Sequence, residues 1–135
     1  ADLVFALRRV RDHIDRNSSA SLTLSDLAAL GGMSKFHLVR TFRAAYGETP
    51  MRYLSRRRTA RAQELLRYAN LTVTEVCMAV GYSSLGSFSS RFSELVGESP
   101  SAYQRRWADR SVHIPGCWLF MLGTIPEKAP ESARA

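Results

Sequence analysis

"LTVTEVCMAVGYS", residues 71 to 83, decides how this chain folds, because the chain contains it twice. Residues 22 to 34, "LTLSDLAALGGMS", align with it at a constant offset of 71 − 22 = 49. The match resumes after one inserted residue, at an offset of 92 − 42 = 50. It then pairs Leu38 with Phe88, Phe42 with Phe92, Gly47 with Gly97, "ETP" at 48–50 with "ESP" at 98–100, and Tyr53 with Tyr103. Two copies of one supersecondary unit make up most of the chain.

Each copy is punctuated in the same way. Thr23-x-x-Asp26 and Thr72-x-x-Glu75 read as capping boxes, in which a threonine oxygen and a carboxylate satisfy backbone N–H groups that a helix start leaves unpaired. A short helix follows, running to Gly31-Gly32 in the first copy and Gly81 in the second, where glycine permits the left-handed backbone of a sharp turn. A second helix then starts, with Ser34 as N-cap in the first copy and Ser83 or Ser84 in the second. Its apolar sets, Leu38, Phe42, Ala45 and Phe88, Phe92, Leu95, recur at helical spacing, and Gly47 or Gly97 ends it. Helix, tight turn, helix is the helix-turn-helix layout.

Thr49-Pro50 and Ser99-Pro100 then open a third helix in each copy, a cap followed by proline at the first helical position. The first of these runs without a breaker from Pro50 to about Tyr68 and spans roughly 28 Å at ~1.5 Å per residue. That length suits two readers set about one DNA turn, ~34 Å, apart. Ahead of the first copy, Leu3, Leu7, Val10 and Ile14 mark an amphipathic helix closed by "NSSAS" at 17–21. The expected organisation is a first subdomain with its linking helix at 1–68, a second at 69–110, and an extension at 111–135 whose apolar segment precedes a disordered tail.

Composition narrows the partner. Lys+Arg 19 against Asp+Glu 12 gives +7 over 135 residues. From Ser111 onward Lys128 and Arg134 cancel Glu127 and Glu131, so the excess lies in residues 1–110. A basic body favours an anionic partner, with nucleic acid first and an acidic membrane surface or plain solubility as competitors. Cys77 and Cys117 have neither metal-ligand spacing nor a disulfide framework, so a reducing cytoplasm is the default. The longest apolar run, "CWLFML" at 117–122, is far below the ~20 residues of a membrane span, and no signal peptide is visible.

Residues 22–66, "LTLSDLAALGGMSKFHLVRTFRAAYGETPMRYLSRRRTARAQELL", followed by "LTVTEVCMAVGYSSLGSFSSRFSELVGESPSAYQRRW" at 71–107, strongly resemble the DNA-binding domain of AraC/XylS-type bacterial transcription regulators. The most specific part is "VGY", Phe88, Phe92 and "GESPSAYQRRW", and the resemblance covers about residues 5–107. It implies an all-α fold of seven helices, with two helix-turn-helix subdomains joined by a long central helix. It also implies sequence-specific binding of double-stranded DNA at promoters through two adjacent major grooves. In many members this domain follows a sensing or dimerisation domain. The chain thus resembles either a stand-alone monomeric type or an excised C-terminal piece, and Ala1 in place of methionine points weakly to processing or excision.

With Leu38 and Phe42 facing the core, the outer face of the first reader carries Lys35, Phe36, Val39, Arg40 and Arg43. The resemblance assigns Phe36, Val39 and Arg40 to base edges and Arg43 to phosphate. An arginine on guanine gives ~1–3 kcal/mol of discrimination, and Phe36 or Val39 suits a thymine methyl. The matching positions of the second reader are Leu85, Gly86, Ser89 and Ser90, a small and nearly neutral face expected to lie close to the duplex. Serine and glycine read bases poorly, so the first reader is expected to supply most specificity. The second is expected mainly to anchor. Ser34, Lys35, Thr49, Arg57, Ser84, Arg91 and Ser99 complete the expected phosphate contacts; Thr49 and Ser99 expose helix N-termini that bind phosphate. Of Arg56, Arg57, Arg58 and Arg61, at least one is expected to reach phosphate or the interior, and Glu64 is a candidate partner for Arg61. Tyr53, Tyr103 and Trp107 read as core, and His37 as structural.

No catalytic constellation emerges, and no metal or cofactor is expected. The alternatives are a protein-interaction module with non-specific DNA anchoring, or a DNA alkylation-repair or sensor fragment with a reactive cysteine. The apolar run "HIPGCWLFMLGTIP" at 113–126 either packs back on the second subdomain as a strand or extended arm, or is a patch for RNA polymerase, a sensor protein or self-association. The expected partners are double-stranded DNA and RNA polymerase, without a membrane. The chain is expected to be a monomer on DNA unless a sensing or dimerisation domain is missing, and to be bacterial, cytoplasmic and nucleoid-associated.

Overall fold

A computed structural model describes residues 2–108, and these contain seven α-helices. They are α1 (Asp2–Arg16), α2 (Leu24–Gly31), α3 (Lys35–Tyr46), α4 (Pro50–Tyr68), α5 (Val73–Ala79), α6 (Leu85–Val96) and α7 (Pro100–Ala108). The all-α reading holds, and the long helix runs from Pro50 to Tyr68, 19 residues, as its lack of breakers implies. Among the described residues no helix is long and apolar enough to cross a membrane. The apolar segment and tail lie outside the described residues.

The chain divides into two compact units, one ending at Arg57 and the other beginning at Arg58, so α4 contributes its first turns to one and the remainder to the other. In the first unit Leu7, Val10 and Ile14 of α1 pack with Leu27 and Ala28 of α2, Leu38 and Phe42 of α3 and Leu54 of α4. In the second, Ala62, Leu65 and Leu66 of α4 pack with Val76, Cys77, Phe88, Phe92 and Tyr103. Burying a large apolar side chain contributes ~1.5–3 kcal/mol, so these sets hold each unit together.

The punctuation forms as the sequence implies. The amide of Asp26 donates to Thr23 Oγ1 and that of Thr23 to Asp26 Oδ2, both at 3.1 Å. The amide of Glu75 donates to Thr72 Oγ1 at 3.1 Å, and that of Thr72 to Glu75 Oε1 at 2.7 Å. The turns after α2 and α5 use Gly32 at φ 68° and Gly81 at φ 111°, backbone angles that side-chain-bearing residues rarely adopt. Gly31 answers a different need: a Cβ there would meet Val10 Cγ2 at 3.2 Å, so its absence lets α2 approach α1.

Three apolar positions differ from the periodic reading, one of them Leu95, which is half-buried while Val96 packs on the second core. Ala45 is exposed, and Tyr46 instead packs its ring 4.7 Å from that of Phe42. A helix offers both i+3 and i+4 as neighbours of Phe42, and the larger ring covers more apolar surface. Leu3 is 41% exposed, because the core contacts of α1 begin at Ala6. Tyr103 is buried, while Tyr53 and Trp107 are half-buried against their cores.

Candidate nucleic-acid interface

The rotation of α3 is set from inside. Leu38 and Phe42 are fully buried, so the opposite side must face solvent. Ser34 caps the helix, its Oγ accepting from the His37 amide at 3.1 Å. Thr41 Oγ1 donates back to the His37 carbonyl at 2.8 Å. The outer face then carries exposed Ser34, Lys35, Phe36, Arg40 and Arg43, with Val39 half-buried between them. Arg40 lies with Cζ 5.3 Å from the Phe36 ring centroid. Lys35, Arg40 and Arg43 form no ion pair among the described residues. This face is a cationic surface with one bare aromatic ring.

The same internal logic turns α6. Phe88 and Phe92 are buried, and Ser84, rather than Ser83, is the cap, accepting from the Ser87 amide at 3.3 Å. Leu85, Gly86, Ser90 and Arg91 are exposed and Ser89 is half-buried. Gly86 is not a packing requirement: a Cβ there would meet only Ser84 Oγ, at 3.7 Å, an ordinary contact. Arg91 Nη1 lies 2.8 Å from Glu94 Oε1, so the one cation on this face is paired.

At the starts of α4 and α7 the hydroxyls of Thr49 and Ser99 accept from the amides of Arg52 and Ala102, at 3.3 and 3.1 Å. The arginine run of α4 divides by destination. Arg56 makes a forked contact with Glu48, its Nη2 2.7 Å from Oε2. Arg57 Nε lies 3.2 Å from Asp15 Oδ1, which also accepts from Tyr53 Oη at 2.6 Å. Arg58 is 8% exposed with Cζ 5.1 Å over the Tyr82 ring, and burial pulls its pKa down against the opposing effect of Tyr82. So the run does send one member into the interior, and Arg56 and Arg57 are tied within the first unit. Arg61 and Glu64 form no ion pair among the described residues. Arg52 is exposed without an ion pair beside the Thr49 cap, a free cation that charge alone signals in the sequence.

Cys77 is 1% exposed, and burial pushes its thiol pKa up. Its Sγ lies 3.7 and 3.9 Å from the carbonyl oxygens of Ser84 and Tyr82. A thiol held in its neutral form is a weak nucleophile. Among the described residues no three His, Cys, Asp or Glu side chains are placed to hold a metal.

Two capped helix-turn-helix units with outward second helices match a known design, and a helix-turn-helix domain family profile covers residues 27–106. The chain belongs to the AraC/XylS-type helix-turn-helix family. It is 38% identical over 97 residues to the MmsAB operon regulatory protein of Pseudomonas aeruginosa, covering 72% of this chain and 30% of that one. The HTH-type transcriptional activator AarP of Providencia stuartii is 36% identical over 91 residues, 67% of each chain. The DNA-binding domain of AdpA, solved in complex with a target DNA, superposes with a TM-score of 0.66 at 28% identity, covering 80% of this chain and 94% of that one. The described residues are thus the DNA-binding domain of an AraC-family transcription regulator.

Proposed function

We propose that this AraC-family domain binds double-stranded promoter DNA sequence-specifically, with α3 and α6 each entering a major groove, and regulates transcription there. Support comes from α3: three cations without ion pairs surround an exposed phenylalanine on a face turned outward by Leu38 and Phe42. Arg40 reads guanine while Phe36 and Val39 pack on apolar base edges. Ser34, Lys35 and Arg43 hold phosphates, joined by Arg52 at the start of α4. The side of α6 is small and electrically quiet, so Leu85, Gly86, Ser89 and Ser90 approach the groove closely and read little, while Ser84, Arg91, Thr49 and Ser99 anchor the backbone. Arg57 contributes its open edge to phosphate from within its pair with Asp15.

RNA polymerase is the proposed further partner, the protein acts in the bacterial cytoplasm, and one copy occupies a site unless a sensing or dimerisation domain is missing. The burial of Cys77 disfavours it as the reactive thiol of a repair activity, and Cys117 lies outside the described residues. The test is selection from a random duplex library at about physiological salt, followed by a salt titration on the winner. Two boxes about one helical turn apart, one sharp and one diffuse, are expected. Steeply salt-dependent binding with no enriched sequence overturns the proposal in favour of a non-specific anchor.

A further inference from the structure

Glu48 follows directly on Gly47, which ends α3, and Glu98 on Gly97, which ends α6, at an offset of 98 − 48 = 50. Each precedes the hydroxyl that caps the next helix, Thr49 or Ser99. A carboxylate at a helix start proposed to hold phosphate opposes that anion, yet both copies carry one.

The partner of the carboxylate is repeated as well. Arg56 reaches Glu48 Oε2 with Nε at 3.0 Å and Nη2 at 2.7 Å. Arg106 reaches Glu98 Oε2 with Nε at 2.9 Å and Nη2 at 2.6 Å. Each guanidinium also lies over a tyrosine of its own helix, with Cζ 5.4 Å from the Tyr53 centroid in one copy and 5.4 Å from that of Tyr103 in the other. Those tyrosines meet the reader helices inside the units: Tyr53 lies 5.9 Å from Phe42, and Tyr103 5.5 Å from Phe92. Each copy therefore closes a circuit of contacts that leaves the reader helix through phenylalanine, tyrosine and arginine and returns through glutamate to its last turn. A lone exposed ion pair adds little to stability, but a forked one stacked on an aromatic ring holds its geometry.

We propose that Glu48–Arg56 and Glu98–Arg106 are matched clamps that fix the C-terminal ends of α3 and α6 on α4 and α7, making these four side chains positioning residues for DNA recognition. This rests on α3 and α6 entering the groove, as proposed above. Arg56 and Arg106 serve the readers through the glutamates rather than as phosphate contacts.

The experiment uses the full chain and the duplex obtained by selection, with affinity read by fluorescence anisotropy at fixed salt, well below the unfolding temperature of each variant. A clamp and a mere charge give opposite signs for Glu48→Gln. Removing a carboxylate near DNA strengthens binding where the glutamate is only a charge, whereas loss of the clamp is expected to weaken it roughly threefold, the scale of an exposed ion pair. Arg56→Gln is expected to weaken binding at least as much. The double variant is expected to stay weaker than the unaltered protein, while independent charges cancel and return it to the starting affinity. Glu48→Gln is also expected to relax the base preference that Arg40→Ala relaxes, and Glu98→Gln to lower affinity with that preference intact. Tighter or unchanged binding by Glu48→Gln, or a double variant that binds as the unaltered protein does, overturns the clamp while leaving sequence-specific binding in place. A lowered melting temperature at unchanged affinity overturns it too, reducing the pairs to stabilisers of the fold. If selection enriches no sequence, the reading of α3 and α6 as readers falls, and this inference with it.

Discussion

α3 and α6 are both 12 residues long, start from a serine cap and end before a glycine in the left-handed region. Each buries two large side chains one turn apart, Leu38 and Phe42 in one, Phe88 and Phe92 in the other. Their inward sides are nearly interchangeable, while outside, α3 presents Lys35, Phe36, Arg40 and Arg43, and α6 presents Leu85, Gly86, Ser90 and an arginine paired with Glu94. The duplication has kept what packing requires and varied what packing leaves free. A helix surface under no internal constraint is where a binding preference is written, so the two copies are expected to contribute unequally to DNA recognition while contributing equally to stability.

The largest effects test the shared side. Phe42→Ala and Phe92→Ala each leave a cavity in a closed core and are expected to cost about 3–5 kcal/mol, measured by chemical denaturation. A large difference between them breaks the symmetry of the inner faces. Next come the outer faces. Arg40→Ala is expected to cost about 1–3 kcal/mol of binding on the selected site and to relax a single base position. Ser90→Ala at the matched position is expected to change affinity by only a few tenths of that, and equal losses in titrations of the two variants sink the asymmetry. The caps return to symmetry: Thr23→Ala and Thr72→Ala each remove a capping box and are expected to cost about 1 kcal/mol of stability.

Gly86→Ala separates fold from function in one residue. A Cβ there meets only Ser84 Oγ at 3.7 Å, so stability is expected to rise by up to about 1 kcal/mol. Affinity for the selected duplex is expected to fall if α6 approaches the groove through that gap as proposed; unchanged affinity removes the reason for a glycine here. The smallest effect is on pH. Burial first, then the bond to Asp15, raises the Tyr53 pKa, so the folded state holds that proton more firmly than the unfolded chain. The stability it supplies is complete below the ordinary tyrosine value of about 10 and is lost as pH rises through the higher folded value. Tyr53→Phe is expected to flatten the loss of helical signal above about pH 10.

Much of this was legible from residues alone. The repeat, both capping boxes, the glycine turns, the 19-residue helix and the outward face of α3 follow from spacing, while the AraC-type family entered as a resemblance carried by particular residues such as "VGY" and "GESPSAYQRRW". Less legible was which neighbour of Phe42 goes inward, where i+3 and i+4 compete and Tyr46 prevails over Ala45. That one arginine of the α4 run would turn inward was expected, but which one, and where the others go, was not legible. Arg56, Arg57 and Arg58 are identical and consecutive, yet one meets Glu48, one meets Asp15 and one is buried against Tyr82.

What the sequence by itself determined is what forms within one or two helical turns: caps, turns, helix lengths and the faces that alternate with them. These depend on groups a few residues apart, whose approach the helical period dictates. Only the tertiary structure decided which charges remain available. Asp15 reaches Tyr53 across 38 positions and then claims Arg57, and Gln104 reaches the Leu71 carbonyl across 33. Such pairings depend on how helices pack within a unit. A cation that finds a carboxylate there is partly neutralised for any other partner, and one that finds none, as on α3, keeps its charge for an anionic partner.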